Sequence, residues 1–407
     1  MAWTRSQKNV VFAAYLGWTL DAFDFFLMVF MFTDIAKTYH VAVGTSATAV
    51  LLTLGARPFG AFVFGRLADR YGRKPILMLN ILAFSALEML SGFAPSITSF
   101  LLLRCLFGFA MGGEWGLGSA LTFESIPAQG RGIVSGLLQA GYPSGYFLSS
   151  LAVYFFYDAL GWRWMFVLGA IPALLVLFIW KGVDESPAFV EQRIKKEEHR
   201  LLPVLAKNWK LAIYAILLMA CFNFFSHGSQ DAYPNLFLKK QHGFDTHLAS
   251  LITMIANVGA ICGGIFFGWL SERIGRRRAI MIAAILALPV LPFWAFGSTP
   301  LILAIGAFCM QVSVQGAWGI IPVHLNELSP PEIRATFPGV VYQFGNFLAA
   351  SNLNLQVLIA EDHANNYGLA MALVVGTVAV LITLMVAWGP ERRGVAMADS
   401  HRAAATV

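Results

Sequence analysis

Gly65-Arg-Leu-Ala-Asp-Arg-Tyr-Gly-Arg-Lys74 returns, little altered, as Gly268-Trp-Leu-Ser-Glu-Arg-Ile-Gly-Arg-Arg-Arg278. At a constant offset of 203 residues, Gly65, Asp69, Arg70, Gly72 and Arg73 fall on Gly268, Glu272, Arg273, Gly275 and Arg276. The same register, without a gap, sets Gly113 and Trp115 on Gly316 and Trp318, and Glu124, Pro127 and Arg131 on Glu327, Pro330 and Arg334. The offset is half of the 407 residues, so the whole chain is a duplication.

Composition says what surrounds the repeat. Hydrophobic residues make up 58% and charged residues 12%, with a mean hydropathy of +0.67. Soluble domains carry about 25% charged residues, and so apolar a chain cannot be dissolved by its surface. It is read as an integral membrane protein. A crossing helix needs about 20 apolar residues, and twelve such segments centre near residues 21, 57, 85, 110, 144, 172, 220, 259, 288, 312, 347 and 378. The polar stretch Asp184 to Lys210 divides them six and six. The expected organisation is a bundle over 1–183, a linker over 184–208 and a second bundle over 209–407. With both termini cytoplasmic, 22 of the 28 Lys and Arg residues lie inside, four lie outside and only Arg57 and Arg104 sit within spans. That is the positive-inside pattern. Two six-helix halves of one orientation are the parallel-repeat architecture of secondary transporters, which bind substrate between the halves near the midplane. The first apolar run, Val10 to Phe32, is too long for a signal sequence and has no cleavage site behind it. Cys105, Cys221, Cys262 and Cys309 lie in apolar stretches without metal or disulfide spacing.

The two quoted loops resemble the loop signature of the major facilitator superfamily and its echo in the second half. With twelve spans and the duplication, the resemblance covers the chain and implies an all-α fold of twelve transmembrane helices. The loops fall at the cytoplasmic ends of spans 2 and 8. There Asp69 and Glu272 are acids among Arg73, Arg276 and other bases, while Glu124 and Glu327, ending spans 4 and 10, precede Arg131 and Arg334 by seven residues. The expectation is a gate of interhelical ion pairs, Glu124 and Glu327 being served by those two arginines. Topology alone requires basic residues but not acids at matching positions in both halves. Gly108, Gly112 and Gly116 on span 4, with Gly259 and Gly263 on span 8, form small-residue stripes for close helix packing.

An ionisable side chain within a span is a functional candidate. After those near helix ends are set aside, Asp21, Asp24, Arg57, Glu88, Arg104, Glu114, His227 and Asp231 remain. Arg57 cannot lose its proton, so it needs an anion, with Asp24 expected as its partner in the empty state. In span 7, Asn223, His227 and Asp231 recur every four residues on one helix face, with Ser226, Ser229 and Gln230 between them. Lipid does not tolerate so dense a polar stripe, so it faces a wet cavity. His227 is also the repeat mate of Asp24, and imidazole titrates near pH 6.5.

The run Asn223-Phe-Phe-Ser226-His227-Gly-Ser229-Gln230-Asp231 resembles the span 7 signature of fungal lactate/pyruvate permeases, in the sialate:proton symporter family. That resemblance implies carboxylate recognition by Arg57, Asn223 and His227 and proton coupling by His227 and Asp231. The fungal signature continues to a Thr, where Ala232-Tyr-Pro-Asn235 stands here. Asp24 and Glu114 are expected as further proton stations, and Asn223, Ser226 and Gln230 as ligands of the substrate's 2-oxygen. The sialic-acid branch is the nearest alternative. The resemblance gives its members extra helices between the halves, which favours the small-acid branch here.

Blander readings stand beside these. Arg104 and Glu88 read as structural. Gln139, Tyr142, Gln343 and Asn346 either line the cavity or join helices. His324 and Glu327 share a helix face without a metal reading. The linker reads as an amphipathic solvated helix. No nucleophile–base pair, metal cluster or phosphate loop is present, so an enzyme is not expected. Neither is a resident cofactor, a nucleic-acid partner or a signalling sensor, since no output domain follows the short termini. The expectation is a monomer in a bacterial inner membrane that takes up lactate or pyruvate with a proton, the coupling ion. A larger organic acid, sialic or aromatic, is the alternative.

Overall fold

The computed structural model describes residues 3–194 and 201–398. It is helical throughout, as expected. Span 1 is Arg5–Tyr39, span 2 Val43–Tyr71, span 3 Arg73–Gly92, and span 4 the pair Ile97–Met111 and Glu114–Ser125. Span 5 begins as Arg131–Gln139 and continues into the helix Gly141–Leu168. That helix is interrupted at Gly161 (φ 72°), where the chain folds back into span 6, completed by Pro172–Gly182. Span 7 is Trp209–Gln230 with the π-helical turn Tyr233–Gln241, span 8 Thr246–Ile274, and span 9 Arg276–Ala295. Span 10 is Pro300–Trp318 with Ile321–Leu328, span 11 Phe337–Ala349 with Asn352–Asp362, and span 12 Tyr367–Trp388. Among the described residues, ten continuous helical runs are long and apolar enough to cross a membrane. Twelve crossings result because the run Arg131–Gly182 is two spans joined at Gly161, and span 11 is broken after Ala349 into two shorter pieces.

The duplication is visible in the backbone. Gly72 and Gly275, repeat mates, turn the chain from span 2 to 3 and from span 8 to 9 with φ of 115° and 99°, a region that side chains with a Cβ rarely enter. Packing of the glycine stripes is reciprocal between halves. Gly108 and Gly112 of span 4 lie on the backbone of Thr53 and Arg57 in span 2, whereas Gly259 and Gly263 of span 8 lie on Phe308 and Val312 in span 10. Gly116, at the end of the first stripe, instead meets Gly339 of the other half.

The first and last described segments of the chain lie at one end of the bundle. There Gln7 Nε2 donates to Ser125 O (3.1 Å), Asn9 Nδ2 to Gly182 O (2.7 Å) and Arg131 Nη1 to Val395 O (2.8 Å). Hydrogen bonds joining the halves also lie at this end. Ser135 Oγ accepts from Val323 N (3.1 Å), and Asn326 Nδ2 donates to Ser119 Oγ (3.1 Å). Spans 5 and 8 cross so closely that Gly132 and Gly136 rest on the carbonyls of Gly268 and Gly264. The termini end is therefore sealed. The linker is partly docked: Ala188 and Phe189 of the short helix Pro187–Ile194 are buried, a correction to the solvated helix expected there. Phe189 covers the guanidinium of Arg73 with its centroid 5.2 Å away, which gives this helix an apolar anchor. Residues 195–200 of the expected linker lie outside the described residues.

Because Gly136 meets Gly264 backbone, Gly136→Val should pry the sealed end open. Overpacking costs ~1–3 kcal/mol, which moves an open-to-closed ratio roughly 5- to 150-fold. The check is the labelling rate of a single cysteine at Ser119, in a background lacking the four native cysteines, by an impermeant maleimide applied from the termini side.

Candidate functional site

The sealed end is built from two copies of one device. Arg73 is fully buried, donates through Nε and Nη2 to Glu124 (3.0 and 3.1 Å) and lies 3.3 Å from Asp69. Its mate Arg276 donates in the same way to Glu327 (3.0 and 3.1 Å) and to Ser271 Oγ (2.8 Å). Each arginine begins a helix whose first free N–H groups are accepted by a carboxylate from the end of its half. Glu185 takes those of Arg73 (3.0 Å) and Lys74 (3.2 Å), and Glu391 those of Arg276 (3.0 Å) and Arg277 (3.0 Å). Burial pushes the Glu185 carboxyl up from its ordinary range, and these N–H donors oppose that rise.

The expected pairs Glu124–Arg131 and Glu327–Arg334 are thus corrected: each glutamate is held by the arginine that opens the third span of its own half. The reason is geometric, because a bidentate guanidinium fork reaches from span 3 or 9 to the end of span 4 or 10. Seven residues of intervening turn carry Arg131 and Arg334 away. Arg131 donates instead to Ile126 O (3.3 Å) and Val395 O, while Arg334 reaches across to Glu124 of the other half at 4.0 Å. The links between halves run through Asp69 and Glu272. Asp69 accepts Ala335 N (3.0 Å), Thr336 N (3.1 Å) and Thr336 Oγ1 (2.5 Å), and Glu272 accepts Gly132 N (2.8 Å). Ala335 and Gly132 are themselves repeat mates, so the two halves exchange the same bond.

Near the midplane lie two clusters, each with one guanidinium and at least one carboxylate. Arg57, 5% exposed, lies 3.6 Å from Asp21 Oδ1. Its Nη2 meets Met111 Sδ at 2.5 Å, it lies over the Phe25 ring (5.5 Å), and its Nε has no hydrogen-bond partner. Asp21, not Asp24, is therefore its empty-state partner, which corrects the expected pair. Asp21 and Asp24 are three residues apart on a helix, about 300° of turn, so their carboxyls are sent to different neighbours. Asp24 goes to the second cluster, where Arg104 holds Glu88 at 2.6 Å and donates to Ser91 Oγ (2.7 Å) inside a cage of Phe100, Phe107 and Phe166. Asp24 is fully buried, and neither of its oxygens has a hydrogen-bond partner. Glu114 faces a small cavity bordered by Trp18, Trp115, Ser119 and Pro322, with its Oε2 unpartnered.

Span 7 divides its polar stripe between two jobs. His227 and Asp231 remain about one-third exposed, with Nδ1 3.2 Å from the Asp231 carboxylate and Nε2 3.2 Å from Asn346 Oδ1 of span 11. Both ring nitrogens face oxygen acceptors, the arrangement of an imidazolium; for the neutral ring, rotation of the Asn346 amide supplies a donor. Ser226, Ser229 and Gln230 turn to span 10. Gln230 donates to Gln311 (3.0 Å), Gln311 to Ser229 (3.1 Å) and Gln315 to Ser226 (3.2 Å). Asn223 is buried with its amide on Met219 O (2.8 Å) of its own helix, which withdraws it from the cavity face expected for it. Tyr142 of span 5, weighed above as a cavity residue, and Tyr342 of span 11, missed in the sequence, have phenols within electrostatic reach of Arg57 and Asp21. Tyr342 packs on Trp115 (4.7 Å) and Trp318 (5.8 Å), the tryptophans that are repeat mates. That pairing was a signal in the sequence. Among the described residues no group of three or more His, Cys, Asp or Glu side chains is arranged to hold a metal ion.

The comparisons with known proteins bear on the family and the fold. Residues 10–352 match the Major Facilitator Superfamily, and the chain belongs to that family. It is a multi-pass membrane transporter and not an enzyme. It is similar to the sialic acid transporter NanX of Escherichia coli, 30% identical over 390 residues and 93% of each chain. The carboxylic acid transporter protein homolog of Saccharomyces cerevisiae is 28% identical, over 96% of this chain and 69% of that one. The fold is that of the proton:xylose symporter XylE (TM-score 0.79, 19% identity, 98% and 99% of the two chains). NanX matches nearly end to end, so the length criterion used above against the sialic-acid branch does not separate the two.

Removing one partner of a buried pair costs ~3–5 kcal/mol, whereas a half-exposed pair contributes ~0.2–1 kcal/mol. Arg73→Ala should therefore lower the melting temperature of the detergent-purified protein far more than Asp231→Asn. Equal shifts would contradict this division of roles.

Proposed function

We propose that this chain takes up a small monocarboxylate of the lactate and pyruvate class together with protons, by alternating access between halves 1–183 and 209–407 across a bacterial inner membrane. One observation carries the reading: Arg57 is a permanent charge at the midplane whose Asp21 counter-ion stands at 3.6 Å, beyond hydrogen-bonding distance. A buried guanidinium with unused N–H donors is a site for a carboxylate that accepts two of them. Ser226 and Gln230, through their network with Gln311 and Gln315, supply polar groups for a 2-hydroxyl or 2-keto oxygen. His227 and Asp231, open to the cavity, receive the proton. Asp24 and Glu114, buried with unpartnered oxygens, are the inner stations. With the termini cytoplasmic, the sealed end described above makes this the outward-facing state. The reading needs no resident cofactor and no second copy of the chain.

A second reading, a larger acid such as sialic acid, is favoured by NanX as a full-length relative and by the ring of Tyr342, which lies within electrostatic reach of Arg57 and packs on Trp115.

The test is uptake of labelled L-lactate, pyruvate and sialic acid into proteoliposomes under a pH gradient, acid on the side opposite the termini. Lactate or pyruvate should accumulate, the protonophore should abolish accumulation, and Arg57→Ala should reduce it to background. Arg57→Lys should lose at least tenfold, since an ammonium lacks the planar fork. Uptake should fall as the outer pH rises through the titration of the imidazole, and His227→Gln should remove that limb. Uptake of sialic acid alone would select the second reading, and uptake of none by folded protein would overturn both.

A further inference from the structure

The Arg57–Asp21 contact has the geometry of a charge pair without that of a hydrogen bond. Asp21 is 1% exposed and its Oδ1 receives no hydrogen bond, while Arg57 leaves Nε unused and gives Nη2 to a sulfur, a weak acceptor. The field of Arg57 neutralises Asp21, yet its donors stay free for another anion. The charged and titratable groups facing Asp21 come from four packed elements and its own helix: Arg57 of span 2, Glu114 of span 4, Tyr142 of span 5, Tyr342 of span 11, and Asp24 three residues on. Arg57 is the one cation among them.

We propose that Asp21 is the coupling carboxylate, and that it competes with the substrate's carboxylate for Arg57. This rests on the reading of Arg57 as the substrate anchor and assigns the step that ties the proton to the substrate. In the empty site Arg57 and ionised Asp21 cancel. An incoming carboxylate accepts two guanidinium N–H bonds and takes over the counter-charge. Asp21, left beside Glu114 in a site closed to water, binds one proton at a carboxyl oxygen, because an uncompensated buried charge is far costlier than a neutral acid. The loaded site holds one guanidinium, one substrate carboxylate and one neutral Asp21, the same net charge as the empty site. When the substrate leaves on the other side, Asp21 returns to Arg57 and the proton departs. One proton crosses per carboxylate and no net charge moves. Neither of the other two ion pairs near this depth is tied to the substrate in this way. Glu88 keeps Arg104 at 2.6 Å inside its phenylalanine cage, and His227 and Asp231 keep each other, whether or not Arg57 is occupied.

The test uses the full chain in detergent and in proteoliposomes. L-Lactate, pyruvate, nicotinate and N-acetylneuraminate serve as probes, and the measurements follow whichever the wild type binds. Binding to the wild type should take up one proton per ligand, read with a pH indicator in weak buffer. Asp21→Asn should bind within about threefold of wild type, exchange labelled for unlabelled substrate, take up no proton on binding, and lose gradient-driven accumulation at least tenfold. Asp21→Glu should restore proton uptake. Asp21→Asn that still takes up a proton or still accumulates substrate, or that is monodisperse yet binds nothing, overturns the proposal while leaving the transport reading intact. If Asp21→Asn does not fold, the wild type decides: ligand binding without proton uptake overturns it. Binding of none of the four probes by folded wild type removes the transport reading, and this proposal with it.

Discussion

A guanidinium placed at the depth of the bilayer's centre keeps its charge, and everything packed around it must answer that charge. Hydrocarbon offers no water to share the cost, so each intramembrane arginine brings a carboxylate to within ion-pair distance. Arg104 has Glu88 at 2.6 Å, a serine and three aromatic faces, with its Nε and Nη1 left without hydrogen-bond partners. Arg57 is answered by charge but left short of hydrogen bonds. The two differ in how near the counter-ion stands, 2.6 Å for Arg104 against 3.6 Å for Arg57. The first half carries Asp21, Asp24, Glu88 and Glu114 against two arginines, a surplus of carboxylates that the proposed proton coupling would draw on.

The sealed end uses the same rule with a different balance. There every carboxylate of the repeated device is fully occupied. Glu124 and Glu327 are held by bidentate forks within a half, and Asp69 and Glu272 accept backbone N–H groups across the halves. The bidentate forks thus stay within each rigid half. The bonds that must break on opening are those of Asp69 and Glu272 to backbone N–H groups and the Thr336 hydroxyl, a few hydroxyl, amide and backbone bonds such as Asn326 to Ser119 and Arg131 to Val395 O, and the 4.0 Å contact of Arg334 with Glu124. A two-state equilibrium of a few kcal/mol is maintained when the crossing contacts are few, and the exchange of one bond between repeat mates makes them so. Glycine-to-backbone contacts of Gly132 and Gly136 add close packing without interlocking side chains.

Much of the fold was legible because the membrane enforces a single secondary structure and a minimum length. Twelve apolar segments and a register of 203 residues suffice for twelve helices in two like halves. The helical period likewise put His227 and Asp231 on one face, and the structure joins them. Partner choice was not legible in the same way. Asp21 and Asp24 both lie on span 1 near the depth of Arg57, and spacing along that helix cannot tell which faces span 2. The gate acids had arginines seven residues away in the chain, yet sequence proximity across a turn says nothing of where a long side chain points. Asn223 shares the face of His227 in projection, but its amide satisfies its own helix, an option every buried Asn has.

The sequence by itself determined the class of molecule, its duplication and the depth of its charged residues, since hydropathy, repeat register and helical rise are local properties of the chain. Only the tertiary structure decided which carboxylate meets which guanidinium, which face of span 7 is wet and which end of the bundle is shut. Those depend on the rotation of each helix about its axis and on contacts between residues hundreds of positions apart, where side-chain reach and desolvation, not sequence spacing, select the partner.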